Sequence, residues 1–282
     1  MHVAALHIYP LKSGRGIALN EAAVGPEGIP GDRRMMLVDP EGNFITQRDL
    51  PLLARLDVQP RGSSVRIAFD GEKEITVPQP PGERRMDVDI WKTAVSAAVA
   101  DSAINSKISG WIGREARLVF FDGQSHREAS AEWAGEGTPV TFADGYQMLV
   151  TTTASLAALN ADMSAHGEGE VRMDRFRPNI VIETGEAWAE EGWETIEIGN
   201  VILDLVKPCA RCIMTTQDQR TGSRDVPSPM PAMGRVRMSA DRRVPGPLFG
   251  WNAVPRTTGM ISLGDGVEVR RMRDQHWPIK RR

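Results

Sequence analysis

Cysteine is scarce in this chain, with Cys209 and Cys212 the only two among 282 residues. A secreted scaffold held by disulfides needs more, so the count points to a reducing, cytoplasmic setting and a fold stabilised by its core. Long apolar runs are missing as well. No stretch approaches the roughly 20 residues that cross a bilayer, so no membrane span is expected. The opening MHVAALHIYPLKSG lacks the charged and apolar regions of a signal peptide and reads as a strand. Charge of one sign is also absent, since 34 Lys and Arg against 37 Asp and Glu leave a formal net charge of −3. Nothing in that balance draws the protein to a nucleic-acid polymer or an anionic membrane. Basic residues do crowd the end (Arg270, Arg271, Arg273, Lys280, Arg281 and Arg282), and 273–282 reads as a solvated tail. There is no repeat at a solenoid period and no low-complexity segment.

What is present is an ordinary globular composition, 41% hydrophobic and 25% charged, long enough for one large domain or two. The first part consists of short strand-like runs: VAALHIY, AAVG, MMLVDP, LARLDVQP, SVRIAF and KEITVP. Gly25, Gly28, Gly31, Gly42, Gly62 and Gly71 punctuate them at turn positions, a pattern that predicts a barrel or sandwich. A helix is predicted over 102–113, capped by Asp101, with Ile104, Ile108, Trp111 and Ile112 on one face. RLVFF reads as a buried strand and 125–138 as a loop. A second block starts near Phe142 with the strand QMLVT. The helix TTASLAALNADMS follows, capped by Thr152 or Thr153, with Leu156, Leu159 and Met163 inward. NIVIE, TIEIGNVILDLVKP and ISLGDGVEVRRM are further strands, with turns at Gly199-Asn200 and Gly264-Asp265-Gly266. Trp188 and Trp193 read as core packing around a short helix. The fold class is therefore mainly β with α+β character. A boundary near 122–130 divides it into 1–124 and 125–272.

The segment KPCARCIMTT is the most informative for chemistry. Pro208 cannot donate to a ladder and is expected to end the LDLV strand, leaving both cysteines in the loop that follows. As half of a zinc site the pair needs two more ligands, and the five histidines have no finger-like spacing. As a redox pair it should open a helix in a βαβ unit, which this β-rich context does not offer. The remaining readings are one functional thiolate, or two inert buried thiols. Arg211 favours the first, because a neighbouring cation stabilises the thiolate that ligates soft metals.

A second set of residues suits anions. Lys12 and Ser13 lie in PLKSGRG, a loop after a strand whose spacing is not that of a nucleotide-triphosphate loop. Its amides, with Lys12 as counter-charge, suit a single phosphate. Arg33 follows Gly31-Asp32 at a strand entry. Arg175, Arg177 and Asn179 form RFRPN, where Pro178 stiffens the approach; arginine is the usual choice for phosphate or a planar heterocycle. Asp144, in FADGYQMLVT, sits directly before a strand, where a turn with Gly145 is the ordinary explanation.

LHIYPLKSGRG followed by GDRRMMLVD and NFITQRD resembles the N-terminal β-barrel domain of the MOSC proteins. RFRPNIVI, VKPCARCIMTTQD, PLFGWNAV and ISLGDGVEV resemble the MOSC domain itself. Together they cover roughly residues 3 to 270, closest in pattern to the amidoxime-reducing components. The resemblance implies a β-barrel-like MOSC domain, preceded by an N-terminal β-barrel domain, with a few peripheral helices. It implies a molybdenum cofactor (molybdopterin) whose protein ligand is Cys212, the cysteine directly before an expected IMTT strand, with Cys209 a neighbour. Lys12, Ser13, Arg33, Arg177 and Asn179 match positions that contact the pterin or its phosphate, and Arg211 a position beside the metal. Asp144, Gly145 and Tyr146 match the loop facing the metal, with proton handling expected of Asp144. At the level of the family, pyridoxal phosphate binding is a further association. The activity implied is reduction of N-hydroxylated small molecules (amidoximes, hydroxylamines, N-hydroxylated bases) by oxygen abstraction at molybdenum. With no cluster domain and no further cysteine, electrons are expected from a separate donor protein of ferredoxin or flavin/cytochrome type. The alternatives are a cofactor or sulfur carrier using the same Cys212, and a plain β-barrel binding module.

Overall fold

The computed structural model describes residues 1–280. Strands dominate. The N-terminal half contributes β1 (His2–Ile8), β2 (Ile17–Leu19), β3 (Glu21–Val24), β4 (Met35–Val38), β5 (Asp57–Arg61), β6 (Ser64–Ala68), β7 (Ile75–Pro78), β8 (Arg85–Ile90), β9 (Thr93–Val99) and β10 (Arg117–Phe120), with helix α1 (Ser102–Ile112) before the last. After a one-turn helix α2 (Ala131–Ala134) come β11 (Met148–Thr152), α3 (Thr153–Ala165), β12 (Ile180–Glu183), β13 (Trp193–Ile198) and β14 (Val201–Ala210). The chain closes with α4 (Met230–Val236), β15 (Leu248–Pro255), β16 (Gly259–Ser262) and β17 (Val267–Met272). The fold is mainly β, as the strand-length apolar runs imply.

An eight-stranded sheet runs β17-β13-β14-β15-β11-β12-β1-β2, a four-stranded sheet β4-β10-β9-β8, a three-stranded sheet β5-β6-β7, and β3 pairs with β16. The first strands thus join the sheet built by the second half. Leu6 pairs with Ile180 across the β1–β12 ladder, and Ala23 with Met260 across β3–β16. A cut near 122–130 divides the sequence but not these ladders. In β4, Met35 and Leu37 point into one core with α1 and the three-stranded sheet, while Met36 and Val38 point into another with Val88, Val95 and Phe142. With period-2 alternation both faces of β4 are covered, which is why its sequence is continuously apolar.

Several local expectations change. Asp101 stands at the N-cap of α1, yet its side chain makes no capping bond; at α3, Thr152 does cap, accepting from the Ser155 amide. The 125–138 loop contains α2. The chain does turn at Gly264-Asp265-Gly266, with the Asp265 amide donating to the Ser262 carbonyl, but the turn joins strands of different sheets, because β16 pairs with β3 and β17 with β13. Pro208 does not end its strand. The β13 ladder stops at Asp204, so beyond it β14 is an edge with β15 as its one neighbour, where proline is tolerated. Two residues of β15, Phe249 and Gly250, then face the single Cys209. This bulge needs glycine: Gly250 has φ +77°, and a Cβ there would lie 2.7 Å from Thr151 Cγ2 and 2.8 Å from the Val150 oxygen. The IMTT segment is a 3₁₀ turn, Ile213–Thr216, with Cys212 at its N-cap. The tail is not loose: Trp277 packs against Trp133 and Trp251, and the Lys280 amide donates to the Met238 carbonyl at 2.8 Å. Arg281 and Arg282 lie outside the described residues. Among the described residues no helix is long and apolar enough to cross a membrane.

Candidate functional site

β1 ends where its antiparallel partner β12 begins, and β11 runs parallel to β12. The exit of β1 and the entries of β11 and β12 therefore share one end of the large sheet. The PLKSG loop, the Asp144 loop and the RFRPN approach meet there. The bulged end of β14 brings the CARC segment against them, and the entry of β4 adds Arg33. Together they enclose a cavity of about 310 Å³. Ten of the residues singled out in the sequence line it together with Cys209: Cys212 and Asp144 with Lys12, Ser13, Arg33, Gly145, Tyr146, Arg177, Asn179 and Arg211. Arg175 does not; its guanidinium is buried and tied to the Thr215 and Pro227 carbonyls.

Five cations and one carboxylate face this space. Lys12 pairs with Asp144 and donates to the Phe142 carbonyl at 2.9 Å. Burial pushes the Lys12 ammonium below its ordinary pKa, with Asp144 acting against that. Asp144 keeps more than half of its side chain exposed, and the surrounding protein still disfavours its anion by desolvation. Lys12 and Arg48 nonetheless prevail and hold it well below the usual carboxylate range. At neutral pH it is a fixed anion, a hydrogen-bond acceptor and no ready acid.

Arg33 and Arg177 clasp the Tyr9 ring from 4.4 and 4.1 Å. Burial raises the Tyr9 phenol to about 12 and lowers Arg177 to about 10. Asn179 fixes the pair's surroundings. Its amide oxygen accepts from Arg33 at 3.0 Å and from the Leu149 amide at 3.1 Å, while its nitrogen donates to the His7 carbonyl. Ser13, Arg33 and Arg177 all hold positive φ, at 66°, 46° and 54°. Left-handed backbone in non-glycine residues costs roughly 1–3 kcal/mol each and concentrates at functional sites.

The thiols differ in their neighbours. Arg211 donates to Cys209 Sγ at 2.9 Å and to the Phe176 carbonyl at 2.8 Å, so the adjacent cation in sequence serves Cys209. Cys212 instead shares the cavity wall with Arg48. Against the opposing effect of burial, Asp144 and then Cys212 keep that guanidinium above its ordinary pKa. Arg48 donates to Asp144 at 3.4 Å and stacks on Trp91 at 5.0 Å. Neither Arg48 nor Trp91 was singled out in the sequence; the NFITQRD motif marks the first, and nothing local marks the second.

The donor set fits an anionic group carrying a soft metal. Arg177 and Arg211 line the cavity with no carboxylate partner among the described residues, and Arg211 Nε is buried without any partner. Two thiols stand beside them, and thiolate is the protein's soft ligand. Among the described residues no three His, Cys, Asp or Glu side chains gather to hold an ion alone. A metal held at Cys212 would have to draw its other ligands from the group that brought it.

Most of the chain is covered by two family models, the MOSC N-terminal beta barrel domain over residues 1–115 and the MOSC domain over 137–268. The chain belongs to the MOSC family. Among curated MOSC relatives it is similar to mitochondrial amidoxime-reducing component 1 of Homo sapiens, 29% identical over 94% of this chain and 82% of that one. The mouse protein of that name is 28% identical over 94% and 81%, and mitochondrial amidoxime reducing component 2 of Homo sapiens 27% over 94% and 82%. A crystal structure of YiiM from Geobacillus stearothermophilus overlaps 45% of this chain and 55% of that one at 12% identity, with a TM-score of 0.31 that is too slight to bear on the fold.

Proposed function

We propose that this MOSC protein is an oxidoreductase that reduces N-hydroxylated compounds (amidoximes, hydroxylamines, N-hydroxylated bases) with a molybdenum cofactor held through Cys212. One observation carries the reading: Cys212 and an ionised Asp144 face the same cavity, and its cations outnumber its carboxylates five to one. The relatives' names speak of amidoxime reduction. When bound, such a cofactor supplies two-electron chemistry and a position able to take oxygen from an N–O bond. The chain's own residues do the rest. Lys12, Ser13, Arg33 and Arg177 would hold phosphate and pterin edges, for which guanidinium forks and a buried ammonium are suited. Arg48 lines the cavity with Cys212 and sets a positive charge on the sulfur's side of it. Asp144 accepts a hydrogen bond from the substrate N–OH and orients it. Overall, one N–O bond breaks, two electrons arrive from a separate donor protein and two protons from solvent, and the amidine or amine leaves with water. The two-cysteine composition supports a cytoplasmic setting.

Purified holoprotein with measured molybdenum and pterin, given benzamidoxime and reduced viologen, should release benzamidine. No turnover at full metal occupancy would favour a cofactor carrier, and neither metal nor pterin from a cofactor-competent host would favour a plain binding module.

A further inference from the structure

The floor of the cavity is cationic, but its rim is not. Among the described residues few large apolar side chains are strongly exposed, and one of them, Trp91, 48% exposed, stands at this rim. Trp91 lines the cavity and is held there at a cost. It and Lys92 form the tight turn between β8 and β9 with φ of 54° and 70°, the left-handed region that a bulky side chain rarely adopts. Three contacts fix the indole. Phe44 packs at 5.2 Å between centroids, the Arg48 guanidinium stacks at 5.0 Å, and Nε1 donates to Asp144 at 3.4 Å. The ring carries Arg48 and Phe44 against it and touches the polar head-group acceptor through Nε1, and its exposed half, at the cavity, is the surface offered to a planar ligand.

The geometry points to Trp91 as a specificity-determining residue, a stacking platform that selects planar aromatic or heteroaromatic N-hydroxylated substrates over aliphatic ones. This rests on the reductase reading given above. The polar N–OH head is placed against Asp144, which the indole Nε1 already touches, and the aryl body lies against the exposed part of the indole. An aromatic face stacks on any π-system without regard to its substituents, so the preference is for a class and not for one compound. A purely structural indole that only steadied Asp144 would treat aryl and alkyl substrates alike.

The test compares benzamidoxime with acetamidoxime in holoprotein, wild type against Trp91→Phe and Trp91→Leu, and measures by calorimetry the binding of the corresponding products, benzamidine and acetamidine. Stacking predicts that the benzamidoxime-to-acetamidoxime ratio of kcat/KM falls about ten-fold in Trp91→Leu, mainly through KM, and is largely kept in Trp91→Phe. The benzamidine-to-acetamidine affinity ratio should fall in parallel. An unchanged ratio in Trp91→Leu overturns the platform even if both substrates are reduced. Should neither substrate be reduced by fully loaded protein, the reductase reading fails, and the amidine affinities alone decide the platform: a retained aryl preference in Trp91→Leu sinks it, a lost one supports it.

Discussion

Two cavities meet on the segment from Gly31 to Met35: Arg33 lines one, while Gly31, Arg34 and Met35 line the other. The second is the larger, about 500 Å³ against about 310 Å³, and Phe120, Phe121 and Val65 make it more apolar. Size alone would favour it over the first. Its charges, however, are matched: Arg34 pairs with Glu27, and Asp122 with Arg85 at 2.6 Å. Around the smaller cavity the cations are in excess, and four non-glycine residues that line it (Ser13, Arg33, Trp91 and Arg177) hold left-handed backbone. Uncompensated charge and stored strain are free energies the fold does not recover by itself, and a bound anion would recover part of them. Imbalance is the better guide to function than volume.

The contrast can be broken in several ways. The largest effect is expected at the metal: Cys212→Ala should lose nearly all molybdenum by elemental analysis, while Cys209→Ala keeps most of it, and equal loss in both would refute Cys212 as the sole ligand. Next, Arg177→Ala should weaken cofactor retention about ten- to a hundred-fold, the scale of one lost charged hydrogen bond. Arg34→Ala, on the other side of the shared segment, should leave pterin fluorescence per protein unchanged. Comparable losses would erase the distinction between the cavities.

A smaller effect is expected from pH. Asp144 is held below its unfolded pKa, so its contribution to stability is present above about pH 4 and fades as pH falls further toward the folded value. Asp144→Asn should therefore lower the melting temperature of cofactor-free protein at pH 7, with the gap to wild type closing below about pH 4; a pH-independent gap would mean the carboxylate's charge plays no part. The smallest concerns strain alone. Lys92→Gly should raise the melting temperature by about 2–4 °C, as expected for relief of about 1 kcal/mol; no rise would show that the β8–β9 turn stores nothing.

The strands and helices with strong periodicity could be read from sequence, and so could the residues of the cavity, because anion-binding and soft-ligand side chains cluster in short recognisable segments. The misses have physical causes. The β8–β9 hairpin turns on Trp91-Lys92, without the glycine or asparagine that marks such turns. Pro208 stays in a strand because the neighbouring ladder ends four residues earlier, a fact of tertiary pairing. Arg48 was passed over because one arginine among many carries no local sign that it faces a thiol encoded about 160 residues later. The pairing of β1 with β12 likewise has no local signature.

That last pairing has a consequence for how the protein comes to be. The strand leading into Lys12 cannot dock until Ile180–Glu183 has been made, some 170 residues on. At ribosomal speed this is a wait of roughly ten to thirty seconds. During it the nascent N-terminus must be kept from aberrant association. The cavity cannot exist on a partly synthesised chain, so a cofactor held there would have to be loaded after nearly all of these residues had been made.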